Sequence, residues 1–358
     1  MAGTQNSRDC GRLCQLRRDM TEGPRRATMA DVAVEADVSK ALVSLVYRKP
    51  EKVSPERRRR VHAAAERLGF RPNWVASSLS AYKGSFIGIL VSNLHNPLFA
   101  TIVDTVRTEL DAAGRYGLMS SAVIQDRDGT TRTDRRIVNA FEDLNASALL
   151  VVGVTPDVSE LQKLRPDIPI VVAAAAIDEL PRAASVRSDN ELGMRAVVEH
   201  LVSLGHTKIA HLGGAGGPAS QRRAEAYAHA MTEFGLEENI HVESAEFDEQ
   251  SGFLAAQRVL DRRPGATALA CVNDLVALGA MNAASQRGLR IPDDVAITGY
   301  DNTFLAGIEA ISLTSVDTGA EEIGRVAASW LVSDDAMPLA GTEILVPPRL
   351  VVRRSTRS

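Results

Sequence analysis

Two patterns in this 358-residue chain carry spacings that suggest chemistry. The string Gly214-Ala215-Gly216-Gly217-Pro218-Ala219 follows an apolar run and satisfies G-x-G-x-x-A, the spacing with which a loop brings backbone amides against a pyrophosphate. Pro218 removes one of those amide donors, and the string lies deep in the chain, so a dinucleotide site is set aside. Four consecutive arginines, Arg57 to Arg60, form the second pattern. Such a run is either a solvated helix face or a set of phosphate contacts, and collectively it raises nucleic-acid affinity by counterion release. The seven histidines show no zinc spacing, and no G-x-S-x-G is present. No catalytic residue, metal or cofactor is therefore expected, and the chain is read as a non-enzyme.

The elements that position the basic residues come early. Thr28 can cap a helix through Ala36, Ser39 a second to about Tyr47, and Ser54-Pro55 a third that runs to Leu68 and stops at Gly69. Two helices separated only by Asp37-Val38 read as a helix-turn-helix. Val32, Ala33, Val38, Val43 and Val46 form its apolar seam against Val61, Ala64, Ala65 and Leu68. After Lys83, short apolar runs alternate with helical stretches. Candidate strands are 86–91, 118–124, 148–152, 170–174, 208–212, 268–272 and 295–299, the rhythm of βαβ units and a parallel sheet. Asp189 restarts a helix midway, which predicts two such halves.

Charge separates these regions. The chain carries 41 Lys and Arg against 45 Asp and Glu, net −4. Residues 1 to 83 hold 17 against 9, net +8, and the remainder 24 against 36, net −12. A basic head thus supplies attraction to phosphate, and an acidic body is repelled from it. An odd count of three cysteines, Cys10, Cys14 and Cys271, argues for a reducing compartment. No apolar stretch is long enough to span a bilayer, and residues 1 to 27 lack the apolar centre of a secretory signal. A cytoplasmic protein with no membrane partner is expected. Residues 1 to 27 themselves, with six arginines, read as a disordered basic tail that either touches DNA or is an extension before a later start at Met20 or Met29.

The strings Thr28-Met29-Ala30-Asp31-Val32-Ala33, Val38-Ser39-Lys40-Ala41-Leu42-Val43-Ser44 and Val53-Ser54-Pro55 resemble the DNA-binding head of the LacI/GalR family of bacterial repressors. The likeness continues through Ala63-Ala64-Ala65-Glu66-Arg67-Leu68-Gly69-Phe70-Arg71-Pro72-Asn73. The resemblance implies that the second helix enters the major groove, with Lys40 and Ala41 facing base edges and Thr28, Ser39, Ser44, Arg48 and Lys49 suited to phosphates. Four positions depart from the family pattern. Asp37 replaces a turn glycine, Leu42 a common threonine, Leu45 a polar base reader and Arg48 an asparagine, so the operator is expected to differ. Residues 72–83 resemble the family's hinge helix. Asn73, Ala76 and Leu79 take the matching positions, and Leu79 is the expected minor-groove wedge.

Ile87-Gly88-Ile89, Asn96-Pro97-Leu98-Phe99, Ser188-Asp189-Asn190, Asn273-Asp274, Gly299-Tyr300-Asp301-Asn302 and Leu350-Val351-Val352-Arg353-Arg354-Ser355 resemble the same family's effector domain. The whole then belongs to the α/β class: an all-α head at 28–71, a hinge at 72–83, and a two-subdomain periplasmic-binding-protein-like body with parallel sheets at 84–358. The resemblance also implies a ligand cleft between the subdomains. By matching positions Phe99 and Phe247 stack on an effector, while Arg223, Asn273 and Asp301 bind its polar groups; Arg222 substitutes for Arg223 if the register slips by one. The bland alternatives are ordinary core for the phenylalanines and a structural ion pair for Arg223 and Asp301. Asp189 reads as a helix cap. The run Val171-Val172-Ala173-Ala174-Ala175-Ala176, apolar where an acidic sugar-binding residue is frequent, makes a plain hexose a less secure effector. The resemblance implies a homodimeric regulator, of the repressor type, that binds palindromic double-stranded DNA and responds to a sugar or related metabolite. The lack of a heptad repeat after Arg354 favours a dimer over a tetramer.

Overall fold

The computed structural model describes residues 27–48, 50–71, 86–125, 131–153, 155, 157–176, 180–263, 265–332 and 337–357. The basic tail before Ala27, Lys49, and the hinge with Asn73, Ala76 and Leu79 lie outside these residues. Two compact units divide the chain, Met1–Ser77 and Ser78–Ser358.

In the first unit, Thr28 opens α1 (Met29–Glu35) with a capping box. Its hydroxyl accepts from the Asp31 amide at 3.3 Å, and the Asp31 carboxylate accepts from the Thr28 amide at 2.8 Å. The helix closes in a Schellman turn, with the Val38 amide on the Ala33 carbonyl at 2.9 Å and the Asp37 amide on that of Val34 at 3.1 Å. This turn demands a left-handed residue, and Asp37 supplies it at φ 50°. Ser39 caps α2 (Lys40–Arg48), its Oγ accepting from the Leu42 amide at 3.2 Å. Pro55 begins α3 (Pro55–Arg67). Ser54 makes no side-chain cap bond, so proline's preset φ, without the expected cap, starts this helix.

Val32, Ala33, Val43, Val46, Val61, Ala64 and Ala65 are buried together, and Val38 is half-buried against them. Leu68, expected in this seam, is instead 37% exposed, and Phe70 occupies the place. The left-handed turn at Gly69 redirects the chain, bringing the Phe70 ring within 6.1 Å of Tyr47.

The second unit begins with β1 (Phe86–Val91), α4 (Pro97–Ala112), β2 (Tyr116–Ser121), a hairpin of β3 (Val123–Gln125) and β4 (Thr131–Thr133), α5 (Arg135–Asp143), β5 (Ala148–Val152), the single turn α6 (Ser159–Gln162), β6 (Ile170–Ala173) and β7 (Ala184–Ser188). It continues through α7 (Asn190–Ser203), β8 (Ile209–Gly214), α8 (Pro218–Glu233), β9 (Val242–Ala245), α9 (Glu249–Arg262), β10 (Ala268–Cys271), α10 (Asp274–Gln286), β11 (Ala296–Tyr300) and β12 (Thr314–Asp317). The last elements are α11 (Ala320–Val332), β13 (Glu343–Val346) and β14 (Arg349–Val351).

One sheet runs β13-β7-β6-β5-β1-β2 and is parallel throughout; the other runs β14-β12-β11-β10-β8-β9, with only β14 antiparallel. Helices bury both faces of each sheet, which explains why central strands such as Phe86–Val91 are apolar without alternation. The chain passes between the two sheets after β7, after β12 and after β13, so each subdomain is discontinuous in sequence. The predicted strand 118–124 is really two, β2 and β3, separated by buried Ala122. Strands β4, β7, β9, β12, β13 and β14 are additional to the expected set: they are short, and Ala-Ser-Val-Arg-Ser or Val-Glu-Ser-Ala has little apolar signal. Gly252 and Gly279 let α9 and α10 touch backbone to backbone. A Cβ at Gly279 would lie 2.0 Å from the Glu249 carbonyl oxygen, and one at Gly252 2.4 Å from that of Val276.

Candidate functional site

On α2, Leu42, Val43, Leu45 and Val46 are buried in or packed against the head core. The side chains left exposed at its first turn are Lys40 and Ala41, with Ser44 half-buried. The two leucines that depart from the family pattern are thus core-facing. Ser39 and Thr28 are exposed, but their hydroxyls already act as helix caps.

The second site lies at the carboxyl ends of the strands, where open α/β sheets hold ligands. A cavity of about 470 Å³ opens between the subdomains. The first subdomain contributes Ser92, Asn93, His95 and Phe99, and the second Arg223, Glu246, Phe247 and Asp301. Phe99 packs on the first subdomain's core, and glycine at 153 makes room for its ring: a Cβ there would fall 2.6 Å from Phe99 Cζ. Gly216 does the same for Phe247, at 3.0 Å. The glycine-rich string is therefore a wall of this cleft. Its Gly214 amide is already bonded to Ser220 Oγ at 2.8 Å.

Arg223 projects from the first turns of α8 into the floor of the cavity. Its Nη2 donates to Asp301 Oδ1 at 3.2 Å, its Nη1 to the Val272 carbonyl at 2.6 Å and its Nε to Asn190 Oδ1 at 3.1 Å. The guanidinium lies 3.8 Å from the centroid of the Tyr300 ring. Both partners of the ion pair are buried, with side chains 8% and 2% exposed. Burial pushes the Asp301 carboxyl above its usual range, opposed by the Arg223 charge and by a hydrogen bond from the side-chain amide of Asn96 on the other subdomain. Asn96 is also the N-cap of α4, its Oδ1 accepting from the Leu98 amide at 3.0 Å.

The loop that carries Asp301 is strained. Asp301 and Asn302 take φ 95° and 44° in succession, conformations that side-chain-bearing residues hold only under outside constraint. Asp274 provides much of that constraint. It accepts from the Thr303 amide at 2.7 Å, the Thr303 hydroxyl at 2.8 Å and the Ser315 hydroxyl at 2.5 Å, while Ser315 Oγ in turn accepts from the Asn302 amide at 3.0 Å. Burial, with the nearby Asp301 charge adding, pushes the Asp274 carboxyl up to about 7, against the pull of those hydrogen bonds. Arg353 adds a 2.8 Å bond to Asn302 Oδ1, tying the closing segment of the chain to the same loop.

Comparison with known proteins agrees with this arrangement. Residues 28–73 match the model for bacterial regulatory proteins of the lacI family, and residues 198–356 that of a periplasmic binding protein-like domain. The ribose operon repressor of Halalkalibacterium halodurans is 31% identical over 332 residues, covering 92% of this chain and 97% of the relative. The chain belongs to the LacI family of bacterial transcriptional regulators. Among solved structures, the lac repressor dimer bound to operator and an anti-inducer superposes with a TM-score of 0.78 at 26% identity, covering 93% of this chain and all of that one. A complex of the regulator CelR with cellobiose gives 0.65 at 26%, covering 92% and 100%.

In this LacI-family regulator the cleft brings together Phe99, Phe247, Arg223 and Asp301. Asn273, expected beside them, is 1% exposed and does not line the cavity. It caps α10, accepting from the Val276 amide at 2.9 Å, and holds the Phe247 carbonyl at 3.3 Å, so it acts from behind the wall. Arg223 lines the large cavity and Arg222 does not; both line a small neighbouring pocket with Arg187 and Ala176. Asp189 is a cap, accepting from the Glu191 and Leu192 amides. Ala174 brings the apolar wall to the cavity. Asn96 and Asp274 join the site although sequence reasoning does not single them out: both stand in family-matching motifs, but an Asn before proline and an Asp after a cap read as local helix signals. Among the described residues no cluster of three His, Cys, Asp or Glu could hold a metal, and no helix is long and apolar enough to cross a membrane.

Proposed function

We propose that the chain is a homodimeric repressor that binds a palindromic operator and is controlled by a sugar or related polar metabolite in the cleft. Residues 28–71 are the DNA-reading domain, 72–83 the hinge and 84–358 the effector-binding and dimerising body. Lys40 and Ala41 read base edges; Thr28, Ser39, Ser44, Arg48 and Lys49 contact phosphates; Asn73, Ala76 and Leu79 act in the minor groove. Phe99, Phe247, Arg223 and Asp301 bind the effector, with Asn273 supporting Phe247. The protein works in the cytoplasm, without catalysis.

One observation carries this reading. On α2 the apolar side chains turn to the core and leave Lys40 and Ala41 exposed at the first turn, the part of a recognition helix that meets base edges. The likeness to the lac repressor, which binds operator as a dimer, and to CelR, which holds cellobiose, supports the partners. Effector and operator prefer different arrangements of one dimer, so each changes the other's affinity by the same factor. The net +8 of residues 1 to 83 supplies the non-specific attraction. The test is salt-dependent binding to the promoter region of the protein's own gene. A complex that prefers that sequence over bulk DNA at moderate salt is expected, and its absence would sink the proposal.

A further inference from the structure

The Schellman turn between α1 and α2 holds a residue poorly suited to it. Asp37 stands left-handed at φ 50°, a position glycine fills in most such turns because a Cβ is disfavoured there. Two intrahelical-type bonds close the turn, and a third set comes from outside. Arg60, one of four consecutive arginines on α3, sends its Nη2 to the Ala36 carbonyl at 2.6 Å and to the Asp37 carbonyl at 3.0 Å. Its guanidinium also lies 3.7 Å from the Asp37 carboxylate. These carbonyls lie at the C-terminus of α1, where a cation is favoured both by hydrogen bonding and by the helix dipole. Its two bonds to these carbonyls single out Arg60 from the run. It stands one turn before buried Ala64, and its head reaches the turn while its side chain stays 46% exposed.

We infer that Arg60 is a positioning residue, a clamp that holds the Asp37 turn and thereby sets where the recognition helix α2 begins. The clamp takes the place of the glycine and removes Arg60 from the set of phosphate contacts. Ser39 and Lys40 follow Asp37 by two and three residues, so a small rotation at the turn displaces Lys40 and Ala41 relative to base edges. A shift there weakens base readout more than it weakens phosphate attraction.

The inference rests on the operator-binding reading above, and the experiment separates the two. Full-length protein is used to select a duplex from a randomised library, and affinities for that duplex and for a scrambled one are measured over a range of salt. Arg60→Ala is expected to lose about tenfold on the selected duplex and under twofold on the scrambled one, with the slope of log affinity against log salt unchanged. Adding Asp37→Gly to Arg60→Ala restores most of the loss, because glycine holds the left-handed turn unaided. In parallel, exchange of the Val38 amide, which bonds across the turn, is faster in Arg60→Ala and returns to the parent rate in the double variant. A salt slope smaller by about 0.9 for each phosphate that the variant no longer neutralises, with equal losses on both duplexes, overturns the clamp and makes Arg60 a backbone contact. Equal losses with an unchanged slope make it a fold-stabilising residue only, and failure of Asp37→Gly to rescue also refutes the inference. If the wild type selects no duplex, the operator reading falls, and Val38 exchange alone then decides whether the clamp exists.

Discussion

Asp301→Ala tests the cleft most directly, because it removes one half of a buried ion pair and leaves the other half in place. Arg223 and Asp301 have side chains 8% and 2% exposed, so solvent screening is weak. Removing one partner of such a pair typically destabilises by about 3 to 5 kcal/mol, since the remaining charge is left buried. Here the orphaned guanidinium retains the Val272 carbonyl at 2.6 Å, Asn190 Oδ1 at 3.1 Å and the Tyr300 face. Asp301 is itself held above its usual pKa by burial, so part of the pair's attraction is offset by its own desolvation. Both considerations place the loss at the lower end, about 3 kcal/mol. In a folded unit of this size that lowers the melting temperature by roughly 6 to 12 °C. Calorimetry of the full chain measures the shift. Fluorescence anisotropy on a promoter duplex, titrated with a panel of pentoses, hexoses and disaccharides, measures the response. The variant is expected to bind the duplex at 20 °C with wild-type affinity and to lose release by any sugar that releases the wild type. A melting temperature within 1 °C of wild type would show that no buried pair is present. A retained sugar response would remove Asp301 from the effector site.

Three other changes probe the elements around the two sites. Gly279→Ala places a Cβ 2.0 Å from the Glu249 carbonyl oxygen; the resulting overpacking, about 1 to 3 kcal/mol, outweighs the gain of roughly 1 kcal/mol in helix propensity, so urea denaturation should show a net loss, and a gain would mean that α9 and α10 part easily. The Asp274 carboxyl is raised to about 7 in the folded chain against an ordinary 3.8, so the folded state binds the extra proton, and its stabilising contribution is complete below pH 4 and lost as pH rises through about 7. Wild type should therefore lose stability relative to Asp274→Asn between pH 5 and 7.5, by up to about 1.4 kcal/mol per pH unit; parallel pH profiles would contradict a raised pKa. In the proposed hinge, Leu79→Ala should reduce discrimination between a selected duplex and bulk DNA more than it reduces bulk binding, and equal losses would rule out a wedge.

The sequence alone determined the parts whose cause is local. Thr28, Ser39, Pro55 and Gly69 mark helix ends because capping and left-handed turns depend on neighbours a few residues away. The strands at 86–91 and 148–152 are legible because burial on both faces writes an unbroken apolar run. Motifs lead to the family, and the resemblance to Phe99, Arg223, Phe247 and Asp301, which line the cavity. What tertiary structure decided involves partners distant in sequence. Leu68 and Phe70 exchange places because one left-handed glycine redirects the chain, and Asn273 leaves the cleft because its amide bonds 26 residues back to the Phe247 carbonyl. Six short strands become strands only by pairing with neighbours in their sheets. Asp274 becomes a constraint on Asp301 only once β12 brings Ser315 beside it. One arginine of four identical neighbours is drawn to the Asp37 turn by the packing of α3 on α1, a choice no local pattern encodes. Hydrogen bonds and buried charges act over a few ångströms of space, whatever their separation along the chain, and folding alone sets those distances.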